Sequence, residues 1–86
     1  MECDVHGNEL WEAIEEILYA LEECRIKGDY ELAIIHGYHR GQVLRDYFQS
    51  KKFLEEMARN GFQLRRKESS NLGVSLFELI LSVKEL

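Results

Sequence analysis

Leu32-Ala33-Ile34-Ile35-His36-Gly37 is an apolar run that stops at a histidine and a glycine, and Cys3-Asp4-Val5-His6-Gly7 ends the same way about thirty residues earlier. Between them lies one helical pattern. A strand, a helix and a second strand joined by a right-handed crossover make the strands parallel, which sets both histidines at the same edge of the sheet. That edge, beyond the carboxyl ends of parallel strands, is where open α/β sheets hold ligands.

The intervening helix is predicted over Glu9 to Lys27. Leu10, Ile14, Ile17, Leu18 and Leu21 recur at spacings of three and four, with Glu12, Glu15, Glu16, Glu22 and Glu23 mostly on the other side. Asn8 reads as its N-cap, Arg25 and Lys27 sit near the negative end of its dipole, and Gly28 suits the left-handed position that closes it. A second helix is predicted from about Gly41 to Arg59, with Leu44, Tyr47, Phe48, Leu54 and Met57 as its apolar stripe, Asn60-Gly61 as its stop and Ser50 to Lys52 as a candidate break.

Four strands remain. Leu32 to Ile35 and Val74 to Phe77 are nearly continuous in apolar residues, as central strands covered on both faces should be. Met1, Cys3 and Val5 alternate with Glu2, Asp4 and His6, and Phe62 and Leu64 alternate with Gln63, Arg65 and Lys67, which marks two edge strands with one wetter face. The order β-α-β-α-β-β therefore predicts an α/β (α+β) two-layer sandwich, a four-stranded sheet with strands two and four inside and a final hairpin through Glu68 to Leu72.

At 86 residues the chain reads as one domain, 1–86, without proline, repeats or low-complexity segments. A domain this size buries only about 60 to 65% of the surface its unfolded chain exposes, so most apolar positions must serve the core. No apolar run approaches the roughly 20 residues of a bilayer span, and no basic segment leads into a cleavable apolar stretch, so the reading is cytoplasmic. Cys3 and Cys24 lack the spacing of a redox or metal motif and read as free thiols. The net charge of −5 is uneven: residues 1–37 carry ten acids and two bases, whereas residues 38–67 carry eight bases and three acids. The total argues against indiscriminate polyanion binding, and the distribution permits one cationic surface.

The residues quoted so far resemble those of the Smr (small MutS-related) domain family. Asp4-Val5-His6-Gly7 is similar to the family's D-L-H-G, and Ile34-Ile35-His36-Gly37 followed by Gly41 and Leu44-Arg45 is similar to its I-H-G-x-G-x-G-x-L-R segment. Gly73-Val74-Ser75 with Leu79 resembles its closing G-x-T strand, so the likeness spans residues 4 to about 79. Two departures stand out. Asn8 replaces the hydrophobic residue usual after D-L-H-G, and the loop His36-Gly37-Tyr38-His39-Arg40-Gly41 is one residue longer and lacks its middle glycine. The resemblance implies a fold like the C-terminal domain of translation initiation factor three, with mixed sheet order 1-2-4-3 and the last strand antiparallel. It also implies nucleic-acid binding and, in several members, endonuclease activity that nicks DNA or cleaves RNA.

Asp4 and His6 lie two apart on a strand and point to one face, where a hydrogen bond between them can set the imidazole tautomer; the alternative is a local turn contact for the acid. His36 precedes Gly37, whose missing Cβ permits positive φ or a close ligand approach, although a histidine capping its strand is an equal reading. Amides of residues 38–43 with Arg40 and Arg45 can form an anion site where Gly41 opens the second helix, or the glycines can mark only a tight turn. Arg65 and Lys67 fall on the face away from Leu64, while Lys51-Lys52 reads as solvated surface. Tyr38 can stack on an unpaired base or pack its own loop.

Three functions compete. The leading one is nucleic-acid binding, RNA ahead of duplex DNA, with phosphodiester cleavage in which His6 and His36 exchange protons, Asp4 orients His6, and the loop of Gly37, Tyr38, His39, Arg40 and Gly41 with Arg45 holds the phosphate. A divalent metal on Asp4 and the histidines is the variant mechanism. The second is a binding module without chemistry, and the third a protein-interaction domain that uses the acidic first helix.

Overall fold

The computed structural model describes residues 1–38 and 42–80. Its elements run in the order β1 (Glu2–Asp4), α1 (Leu10–Lys27), β2 (Glu31–Ile35), α2 (Gln42–Phe48), α3 (Lys51–Arg59), β3 (Leu64–Lys67) and β4 (Val74–Leu79). They form one four-stranded sheet in the order β1-β2-β4-β3, with β1 parallel to β2 and with β4 antiparallel to both its neighbours. The element order, sheet order and mixed character are those expected from the sequence.

Local chemistry accounts for the element ends, with one shift. Glu9, not Asn8, caps α1: the Glu12 carboxylate reaches back to accept the Glu9 N–H at 3.0 Å, closing a box that an asparagine one residue earlier cannot. Gly28 ends the helix in the left-handed region. The expected break in the second helix falls at Ser50, whose hydroxyl donates to the Tyr47 carbonyl at 2.6 Å and accepts from the Phe53 N–H. One side chain thus ends α2 and starts α3.

All three helices lie on the same side of the sheet. The steps from β1 to β2 and from β2 to β3 advance in one direction, so right-handed crossovers put α1 and the α2–α3 pair on a common face. Leu32, Ile34 and Phe77 point into that layer with Ile17, Leu21, Phe48, Phe53 and Met57, all fully buried. Phe53 is the hub, with its ring centroid 5.1 Å from those of both Phe48 and Phe77 in edge-on geometry. The expectation that β2 and β4 are covered on both faces is corrected here. Ala33, Ile35, Val74 and Leu76 form a half-buried strip on the opposite face, flanked by the ion pairs Arg65–Glu78 and Lys67–Glu31. Among the described residues, no helix is long and apolar enough to cross a membrane.

Candidate functional site

Beyond the carboxyl ends of β1 and β2 the two His-Gly turns meet. Gly7 and Gly37 both have positive φ, 80° and 89°, which lets each strand turn sharply at the rim. A Cβ on Gly37 would lie 3.6 Å from that of His6, so the second turn rests against the first histidine. Gly73, in the loop before β4, closes the group: its carbonyl accepts the N–H groups of His36 and Gly37 at 3.0 and 3.1 Å.

Asp4 and His6 form an exposed, hydrogen-bonded pair on this rim. Asp4 Oδ1 lies 2.5 Å from His6 Nδ1 and also accepts the His6 backbone N–H at 3.1 Å, so one oxygen fixes both the ring and its backbone. Both side chains are exposed, His6 by 69%. The His6 ring, and then its backbone N–H, hold the Asp4 carboxyl below the usual carboxylate range. An ionised Asp4 can only accept, so Nδ1–H donates to it and the free lone pair falls on Nε2.

His36 departs from the sequence expectation. It is only 1% exposed and turned into the helical layer, with Nδ1 3.0 Å from the Gly37 carbonyl and Nε2 2.9 Å from Ser75 Oγ. The carbonyl accepts from Nδ1–H, so the serine hydroxyl donates to Nε2. The two histidines therefore sit on adjacent strand ends but face opposite sides of the sheet, and they do not line one surface. His36 instead ties the Gly37 turn to β4. Ser75, which sequence reasoning left out of the site, completes that tie; its signal was a hydroxyl inside an otherwise apolar strand. Ser75→Ala is expected to leave a buried ring nitrogen unpaired and to cost about 1–3 kcal/mol, read as a lower urea midpoint at unchanged slope.

The remaining site residues divide by charge environment. Arg45, half-buried on α2, has no ion-pair partner among the described residues, and Tyr38 stands exposed beside Gly73. Arg65 and Lys67 are on the open sheet face as alternation predicts, but Arg65 is bound to Glu78 and Lys67 to Glu31 at 2.6 Å, so neither offers an uncommitted charge. His39, Arg40 and Gly41, and with them the expected anion site, lie outside the described residues. For a divalent metal the donors do not converge: His36 spends both ring nitrogens internally, and no group of three candidate ligands occurs among the described residues.

Comparison with known proteins follows the same outline. The family model of the Smr domain matches residues 3–79. The chain belongs to the Smr domain family. It is 39% identical over 79 residues to the protein named endonuclease MutS2 of Acetivibrio thermocellus, a match that covers 91% of the chain but only 10% of that relative's length. The crystal structure of the Smr domain of Thermus thermophilus MutS2 superposes with a TM-score of 0.67 at 30% identity, covering 93% of this chain and 98% of that one.

The two cysteines of this Smr domain stay outside the site. Both are buried, and burial pushes the Cys3 thiol up to about 11 and raises Cys24 as well. Folded protein is expected to resist iodoacetamide at pH 8 and to take two labels in denaturant, as counted by mass spectrometry. Because folded Cys3 keeps its proton above the ordinary value near 9, stability should also fall as pH rises from 9 toward 11.

Proposed function

We propose that this Smr domain binds single-stranded or looped RNA across the His-Gly rim and cleaves it there, with His6 as general base. The observation that carries this reading is the Asp4–His6 contact at 2.5 Å on an exposed edge. Nε2 of His6 takes the proton of a 2′-hydroxyl, O2′ bonds to phosphorus, and the P–O5′ bond breaks, with O5′ protonated by water and a 2′,3′-cyclic phosphate left behind. Asp4 holds the ring and balances its charge once it is protonated. Gly37 lets the backbone approach the phosphate, Tyr38 stacks on a base, Arg45 and Arg40 neutralise phosphate charge, and His39 and Gly41 supply hydrogen-bond donors to it. Arg65 and Lys67, already paired, contribute weaker long-range attraction.

His36 acts in this scheme as a positioning residue for the Gly37 turn. The relative named an endonuclease supports a nucleic-acid substrate. Burial of His36 also favours a second reading, in which the rim binds without cutting, because among the described residues His6 alone presents an imidazole to solvent.

One assay separates the two. Labelled single-stranded RNA, hairpin RNA and DNA of the same sequence are incubated with the domain, with and without chelator, over a salt series. The expected result is affinity that drops with salt and RNA products ending in cyclic phosphate, unchanged by chelator. Binding without product would establish the second reading, and absence of binding to any of these nucleic acids would refute both.

A further inference from the structure

Helix α1 has two apolar faces. Ala13, Ile17, Leu21 and Cys24 are buried against the sheet, yet Trp11, Tyr19 and Ile26 are 62%, 79% and 73% exposed. Leu18 is half-buried beside them, and with Tyr19, Glu15 and Glu22 it lines a shallow groove. At 3.6 residues per turn, Trp11, Leu18, Glu22, Glu15, Ile26 and Tyr19 fall within roughly 100° of arc, along about 22 Å of helix. The apolar groups thus share one outward face, with the carboxylates of Glu15 and Glu22 set between them.

Charge selects what covers it. Arg25 and Lys27 are engaged by Glu22 at 2.6 Å and Glu23 at 3.2 Å, whereas Glu15 and Glu16 have no cationic partner among the described residues. A polyanion is repelled here. A second copy fits poorly: its cationic helix α3 exposes Lys51, Lys52 and Arg59 but buries Phe53 and Met57, so it brings charge without an apolar ridge.

We propose that the outer face of α1 is a docking groove for a cationic amphipathic helix of another protein. Its apolar ridge packs on Trp11, Leu18, Tyr19 and Ile26, while its lysines or arginines meet Glu15 and Glu16. The surface shares no residue with the Asp4–His6 rim.

Trp11 is the only tryptophan in the chain and reports on its own burial. The probe is a synthetic leucine–lysine peptide with leucines at helical spacing, titrated against the whole domain beside a scrambled peptide of equal composition and a leucine–glutamate analogue. Docking predicts a saturable blue shift of Trp11 emission with the first peptide alone, and an affinity about tenfold lower or worse in the Tyr19→Ala, Ile26→Ala double variant, with circular dichroism unchanged. No shift, an equal response to the scrambled peptide, or undiminished affinity in the double variant would overturn the proposal. So would sedimentation showing that the free domain self-associates through this stripe, with dissociation in the same double variant.

Discussion

His6→Ala is expected to lower RNA cleavage by about 10²–10⁴-fold, the usual contribution of a positioned general base, while leaving RNA affinity nearly unchanged. The separation follows from the geometry. The His6 ring is largely exposed and touches Asp4, so its loss opens no cavity and should shift stability by no more than about 0.5 kcal/mol. Asp4→Asn should give a smaller loss, because an amide can still contact the ring but cannot balance its positive charge. A rate equal to wild type in His6→Ala would remove His6 from the chemistry and leave the rim a binding surface. Loss of affinity in step with rate would instead make His6 a contact residue.

The largest expected effect on stability is Phe53→Ala, at about 3–5 kcal/mol. Phe53 is fully buried, stacked edge-on between Phe48 and Phe77, and joins α3 to α2 and to the sheet. A domain of this length has roughly 4–13 kcal/mol in total at the usual 0.05–0.15 kcal/mol per residue, so the variant should lose a large share of it. A fall in Tm of about 12 °C or more is the calorimetric readout. Leu54→Ala, on the half-buried side of the same helix, is the control and should cost clearly less. Equal shifts for the two variants would mean that the aromatic hub is not the centre of the core.

Much of the fold is legible because it is written in local patterns. Alternation in Cys3-Asp4-Val5-His6 separates a buried from an open face, and it places Asp4 and His6 together on the open one, as found. Three-and-four spacing marks α1, and Ser50 marks the division of α2 from α3. The exposed stripe of Trp11, Tyr19 and Ile26 was harder to see. Those residues fit helix packing by type, and only the one-sided layering of helices shows that they stand exposed among the described residues.

The chain by itself determined the succession of elements, the edge and central strands, and the Asp4–His6 pair, since each depends on neighbours two to four residues apart. Which way His36 faces was decided only by the assembled sheet. Leu32-Ala33-Ile34-Ile35 is apolar at every position, so it carries no alternation from which to tell one face from the other. The register of β2 against β4, Ile34 opposite Ser75, turns His36 inward to a hydroxyl 39 residues away. That hydroxyl on Nε2 and the Gly37 carbonyl on Nδ1 pair both nitrogens of the buried ring, which leaves His6 as the histidine that meets solvent among the described residues.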